Sequence, residues 1–558
     1  MFSCLFFLFP FGARAIASGQ SIKFYTDPNY DLKERDHLDA VLILETDNLY
    51  IYADAVWWNG FLEQVKKEIE ENLTILGEEF KNNIYPVLTS NFGSEWKPGI
   101  DGDNRIAILF HPMKKGRAGY FNSRNEYSKL VIPSSNEREM VYLSADYILS
   151  PLIKSLLAHE FTHLITFNQK NRLRSAEEEI WLNEARAEYA PTLCGYDSDY
   201  RGSNLQKRVI QFLNFPSDSI TEWTGTANDY GALNLFIQYL VEHYGVKILN
   251  DSLASDKTGI DSINYALSKN GFKEDFSRIF ADWTVAVFLN DCSFGEKYCY
   301  KNSNLKSLRV IPKIDVLPFG LQNSALFVNY MTADWTGHWR KISGGTGKLS
   351  LEILGGPTLA DKIPYVLCGK SNKCELGFLT LSENHYGKIE IQDFGKNHSY
   401  LAIIPFTEQS NDGGPRVISL NIRTETTGNA DNADGKSAMI QNILAQIEAV
   451  KIQIADIQAE ISKKSGQTAA CSRFTEDLYF GIREDPGVIC LQKFLTNQKE
   501  GIYPEALVTG NFLALTKNAV IRFQEKYAED ILKPLGLGKG TGYVGKKTRE
   551  KINQMLSY

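Results

Sequence analysis

The stretch Leu156-Leu-Ala-His159-Glu160-Phe-Thr-His163-Leu-Ile constrains this chain more than any other. Residues four apart on an α-helix lie about 400° round the axis, so His159 and His163 point to one side, one turn apart. Two ring nitrogens so placed can share one ion at about 2.0–2.1 Å. Glu160, one step from the first histidine, is placed to face a water on that ion. Leu156, Leu157, Leu164 and Ile165 supply the apolar remainder that seats the helix in a core. The whole chain has only 8 histidines, so two in this frame are not a cheap coincidence. A pattern this short also arises in unrelated proteins, on buried helices whose histidines are simply hydrogen-bonded. A third ligand decides between the two.

That ligand is expected in Trp181-Leu-Asn-Glu184-Ala-Arg-Ala-Glu188-Tyr-Ala, a second helical segment. Glu184 and Glu188 are four apart and share a face, one suited to ligate and the next to hold a histidine N–H from behind. Three protein ligands that leave a fourth position for water mark a catalytic zinc site rather than a structural one.

The motif together with Asn183-Glu184 resembles the gluzincin metallopeptidases. Asn91-Phe-Gly, Asp101-Gly-Asp-x-Arg-Ile, Ala118-Gly-Tyr-Phe, Asn136-Glu-Arg-Glu-Met-Val-Tyr-Leu and Trp181-Leu-Asn-Glu resemble the hyicolysin-type branch, over residues 40 to about 290. The resemblance implies zinc on His159, His163 and Glu184, with Glu160 as the catalytic base. This chain departs from the family's usual Gly after the ligand glutamate, carrying Ala185 and then Arg186. A thermolysin-like enzyme has Asp where Glu188 stands. Tyr230-Gly-Ala-x-x-x-Phe-x-x-Tyr239-Leu240 is similar to a gluzincin helix carrying a stabilising tyrosine, which makes Tyr230 a candidate oxyanion donor. A core tyrosine capping the helix start reads the same way.

At 558 residues the chain exceeds one core, and several domains are expected. Met1 to Gly12 is apolar and Ala15-Ile16-Ala17 follows, the pattern of a signal peptide over 1–17. Strand patterns with one long helix, then strong helical patterns at 152–168, 177–191, 230–244 and 275–290, predict an α+β domain over 18–319, which the resemblance implies is a zincin-like metallopeptidase domain. Met140 to Leu143 is expected as an edge strand for an extended substrate, although an ordinary sheet strand reads identically. Asp101-Gly-Asp103-Asn104 reads as a turn, because it lacks the later ligands of a calcium loop. Short β runs between Gly, Asn and Asp turns predict a β-sandwich domain over 320–424, followed by a polar linker over 425–436.

Ile440, Ile447, Ile454 and Ile461 against Ile443, Val450 and Ile457 form a heptad, a coiled-coil helix over 437–464. β-branched residues at both seam positions favour a trimer or larger homo-oligomer. A spacer helix folded on a neighbour is the other reading. The last segment, 465–558, has helical patterns at Asp485–Asn497, Leu515–Ile531 and Val544–Leu556. Its Thr509-Gly510-Asn-Phe, Ala519-Val-Ile-Arg-Phe-Gln524 and Gly542-Tyr-Val-Gly545-x-x-Thr548-Arg resemble small three-helix peptidoglycan-binding domains, which implies cell-wall attachment. A protein-binding use of the same fold is the alternative.

Net charge is −7 with no basic stripe, which argues against nucleic acid as a partner, and no stretch is apolar and long enough for a transmembrane segment. Seven cysteines remain after residue 17, and three local pairs are expected: Cys292–Cys299, Cys368–Cys374 and Cys471–Cys490. Cys194 is left as a buried thiol. The expectation is a secreted zinc metalloendopeptidase held at the cell wall. The alternatives are a peptidase acting on peptidoglycan cross-bridges and a wall-binding scaffold with a vestigial zinc site.

Overall fold

The computed structural model describes residues 21–318, 323–370, 373–408, 416–425, 473–480, 482, 485–498, 501–503, 508–512 and 514–556. The expected signal peptide, the linker from residue 426, the heptad helix and Cys471 lie outside these residues. The chain divides into two compact units after Asn429.

The first unit opens with a sheet of β1 (Ile22–Tyr25), β2 (His37–Glu45), β3 (Leu49–Asp54), β4 (Ile106–His111), β5 (Gly119–Phe121) and β6 (Met140–Ser144). Their order is β1-β2-β3-β4-β6-β5. β3, β4 and β6 are parallel neighbours, and all of β4 and β6 is buried, as central parallel strands covered on both faces require. β5 runs antiparallel to β6, with Gly119 opposite Leu143 and Phe121 opposite Val141. This corrects the expectation for Met140 to Leu143. That strand is interior, and the edge is β5.

Helices α1 (Ala55–Asn59), α2 (Glu63–Glu79) and α3 (Tyr85–Phe92) follow β3. Ile69, Leu73 and Leu76 of α2 are buried with Ile51, Ile108 and Val141 of the sheet. Seven helices follow β6: α4 (Ile153–Thr166), α5 (Ile180–Leu193), α6 (Asn204–Asn214), α7 (Ala227–Tyr244), α8 (Lys247–Leu253), α9 (Gly259–Lys269) and α10 (Phe276–Leu289).

The second sheet has nine strands: β7 (Lys313–Leu317), β8 (Asn323–Thr332), β9 (Arg340–Gly344), β10 (Gly347–Leu354), β11 (Lys362–Gly369), β12 (Cys374–Thr380), β13 (Tyr386–Phe394), β14 (His398–Ile403) and β15 (Arg416–Glu425). β7 pairs with β9, so this sheet begins before the boundary expected at 320. Most of its core is continuous with that of the helices. Phe276 and Phe280 of α10 meet Trp335 at 4.7 and 5.5 Å between ring centroids, and Phe280 meets Phe406 at 5.3 Å. One apolar cluster runs from Leu49 to Ile422. Large aromatics on α10 fuse what their sequence spacing presents as separate layers. Cys292–Cys299 and Cys368–Cys374 are disulfides, the second joining facing residues of β11 and β12. Cys194 is a buried free thiol at the end of α5.

The second unit contains α11 (Pro486–Thr496), α12 (Ala514–Lys526), α13 (Ala528–Ile531) and α14 (Lys546–Leu556) around Leu491, Leu495, Phe512, Phe523, Val544 and Ile552. Two buried glutamines clamp two turns in the same way. The Gln492 side-chain oxygen accepts from the Thr509 and Gly510 amides, and its nitrogen donates to Asn511 O and Thr516 Oγ1. Thirty-two residues on, Gln524 does the same with Thr541, Gly542, Tyr543 and Thr548. The unit is therefore an internal repeat of a glutamine-clamped turn. Among the described residues, no helix is long and apolar enough to cross a membrane.

Candidate metal centre

Helix α4 is oriented by its apolar face. Leu157, Phe161, Leu164 and Ile165 are buried, and Phe161 sits between Phe80 and Tyr85 at 5.1 and 5.7 Å. With that face committed to the core, His159 and His163 turn towards Glu184 of α5, and His159 and Glu160 line a cavity. On α5, Trp181, Leu182 and Ala185 are buried. Arg186, which follows Ala185 where the sequence leaves the family pattern, is fully buried; it donates to Glu178 at 2.7 Å and to Ser252 at 2.8 Å. This pair ties the start of α5 to the preceding loop, on a different side from Glu184.

The two helices bring the expected ligands together. His159 Nε2 and His163 Nε2 are 3.2 Å apart, and Glu184 Oε2 is 3.4 Å from the first and 3.7 Å from the second. Donors held about 2.0–2.1 Å from a tetrahedral ion are spaced by about 3.3–3.4 Å, so the observed triangle fits one small four-coordinate cation. Glu184 Oε2 is buried and has no hydrogen-bond partner. An oxygen so placed is costly unless a cation completes it. Among the described residues, these three are the one group of His, Cys, Asp or Glu donors whose ligand atoms, within 4.8 Å of one another, could hold a metal.

Both histidines are fixed from behind. His163 Nδ1 lies 3.0 Å from Asn183 Oδ1, and His159 Nδ1 lies 3.4 Å from Glu188 Oε1. In each case the outer nitrogen donates, leaving Nε2 free to ligate. Glu188 is itself held. Arg208 Nε and Nη2 donate to its two oxygens at 2.7 and 2.5 Å, and Asn204 and Asn234 add bonds at 3.1 Å each. Burial works against the Glu188 charge, but Arg208 and His159 outweigh it and keep the carboxyl well below its usual range. Burial alone lowers the His159 imidazole, yet Glu184 and Glu188 raise it to about 10. Burial lowers His163.

Glu160 is buried beside the triangle, and burial pushes its carboxyl up to about 8. A dication beside it pulls in the opposite direction. It lies against the edge strand. A Cβ on Gly119 would fall 2.7 Å from Glu160 Oε1 and 2.9 Å from Tyr142 O, so only glycine fits there. Tyr230, in the first turn of α7, lines the same cavity of about 210 Å³. Its ring packs edge-on to Trp223 and under the Arg208 guanidinium at 4.4 Å. Burial raises its hydroxyl far above the usual range, so it stays a proton donor.

Arg208, Asn183 and Gly119 were not assigned roles from sequence. Arg208 carried a readable signal: it sits on the apolar stripe of Leu205, Val209 and Phe212, where a solvated arginine would not. Asn183 and Gly119 lie inside motifs whose chemistry the spacing does not reveal.

Comparison with known proteins points to a distant metalloprotease relationship. The relative is the neutral metalloprotease ShpI of Staphylococcus hyicus, 26% identical over 221 residues, covering 35% of this chain and 48% of that protein. The chain thus spans about half the length of that relative. No family model matches. Among solved structures, Pseudomonas aeruginosa AlgX is 8% identical over 15% of this chain and 25% of its own, with a TM-score of 0.11. Aeromonas hydrophila PliG, a periplasmic inhibitor of g-type lysozyme, is 11% identical over 20% of this chain and 97% of its own, with a TM-score of 0.13. Neither value carries weight for the fold.

Proposed function

We propose that the chain is a zinc metalloendopeptidase of the gluzincin type, with a zincin-like catalytic region. The observation that carries this is the donor triangle of His159, His163 and Glu184, with an orphaned Glu184 oxygen, and with His159 and Glu160 on the wall of one cavity. Two imidazoles and a carboxylate are a donor set suited to zinc. Bound there, zinc supplies Lewis acidity to an attacking water and to the scissile carbonyl. Glu160 accepts the water proton and returns it to the leaving amine. Glu188 and Asn183 keep each Nδ1 donating, and Tyr230 donates to the oxyanion. The unpaired edge of β5 offers backbone groups to an extended peptide. In the test, purified protein is chelated, reloaded with zinc and assayed on an unstructured protein, beside Glu160→Gln. The expected result is loss and recovery of activity, with kcat lower by about 10²–10⁴-fold in Glu160→Gln while zinc is retained. Zinc binding without hydrolysis by the wild type would favour the scaffold reading.

Two disulfides support an extracellular setting. We further infer that the unit of residues 473–556 holds the enzyme at peptidoglycan. Exposed Tyr479, Phe480 and Tyr543 form an aromatic patch, with Tyr479 and Tyr543 stacked at 6.1 Å and 18°. Flat exposed rings suit the faces of sugars.

A further inference from the structure

Three cationic side chains line the cavity onto which His159 and Glu160 open: Arg117, Lys207 and Arg208. Arg208 is consumed by Glu188. Arg117, in the turn before the edge strand, and Lys207, on α6, are exposed, and neither forms an ion pair among the described residues. Neighbouring cations differ: Lys114 pairs with Glu34, and Lys154 with Glu79. Arg117 rests over the Tyr30 ring at 4.9 Å, a contact that orients the guanidinium without neutralising it. The carboxylates lining the cavity are Glu160 and Glu188, the first reserved for proton transfer and the second matched by Arg208. A dication on two imidazoles and Glu184 leaves one positive charge, which Glu160 offsets. Arg117 and Lys207 then remain as an uncompensated double positive charge, in a chain whose net charge is −7. A concave, partly desolvated site focuses that field on whatever enters.

We propose that Arg117 and Lys207 are specificity residues, and that the preferred substrates are peptide segments carrying an acidic side chain close to the scissile bond. The inference rests on the peptidase reading and narrows it. Binding such a segment pairs both cations at once, whereas a basic segment meets two like charges.

The test uses the zinc-loaded full chain and one quenched fluorescent peptide framework, with Glu, Gln or Lys placed in turn at each position within three residues of the cleaved bond. The expected result is a Glu over Gln advantage in kcat/KM on the order of tenfold at one or more positions, with Lys the poorest. The advantage shrinks as salt rises from about 0.05 to 0.5 M, because such pairing is screened. In the double variant Arg117→Glu and Lys207→Glu the ratio inverts in favour of Lys. Equal rates for Glu and Gln in the wild type overturn the inference while leaving the peptidase reading intact, since peptides are still cleaved. A Glu preference that survives charge reversal also overturns it. Cleavage of no peptide of any charge removes the peptidase reading and this inference together.

Discussion

Each imidazole of the metal triangle depends on a residue behind it, and the longer of the two supports runs from Arg208 through Glu188 to His159. Removing the guanidinium would leave Glu188 buried without its cation. Arg208→Met is therefore expected to lower stability by about 3–5 kcal/mol in denaturant unfolding and zinc affinity by about 10–100-fold. A variant as stable as the wild type would show the pair to be dispensable. The proton on His159 gives a second prediction. The Glu184 and Glu188 carboxylates raise this imidazole to about 10, so near neutral pH the metal-free site holds a proton that zinc must displace. Zinc affinity should rise with pH, by about tenfold per unit between roughly pH 6 and pH 8. A flat profile would mean the proton is absent. His159, Glu160, His163 and Glu184 were all legible in the sequence, because helical spacing fixes which side chains share a face. Arg208 is legible only through its place on the apolar stripe of Leu205, Val209 and Phe212, because charges on an amphipathic helix ordinarily read as its solvated side.

Among the elements, β5 and α4 meet where Gly119 faces Glu160. Gly119 lets the edge strand lie against Glu160, so Gly119→Val is expected to displace that carboxylate and lower kcat by more than about tenfold with zinc content unchanged. Unchanged kcat would show that the strand yields instead. Between β5 and β6, Glu126 and Glu139 are both buried, and burial and their mutual repulsion raise the Glu126 carboxyl; burial raises that of Glu139. A carboxyl raised in the folded state stabilises most when protonated, so this contribution is full at acid pH and is lost as pH rises from about 4.3 towards neutrality. Replacing both by Gln should flatten that fall, measured by denaturant unfolding at several pH values. The helices α4, α5, α7 and α10 fall where apolar spacing puts them, within a few residues. Strand order did not, since alternation marks a strand without naming its neighbours, and three-residue β5 is too short to carry a period.

Over the whole molecule, sequence composition separates a helical region from a β-rich one, yet Phe276, Phe280, Trp335 and Phe406 join them in one core. Residues far apart in the chain make that junction, and no local pattern announces it. The repeat in the second unit is legible as a spacing, since Thr509-Gly510 and Thr516 recur as Thr541-Gly542 and Thr548, but the clamp built on Gln492 and Gln524 shows only in what those residues bond. If that unit grips peptidoglycan through its aromatic patch, Tyr543→Ala in the full chain should lower co-sedimentation with purified cell wall by about threefold or more, losing one stacking platform. Unchanged sedimentation would place attachment elsewhere. The proposed chemistry depends on one ion held by three side chains. Elemental analysis of wild type, His163→Ala and Glu184→Ala, each dialysed against limiting zinc and assayed for proteolysis in the same preparation, tests it most directly. The account predicts about one zinc per wild-type chain with activity, and loss of both in the two folded variants. A variant that keeps full zinc and full activity would contradict it.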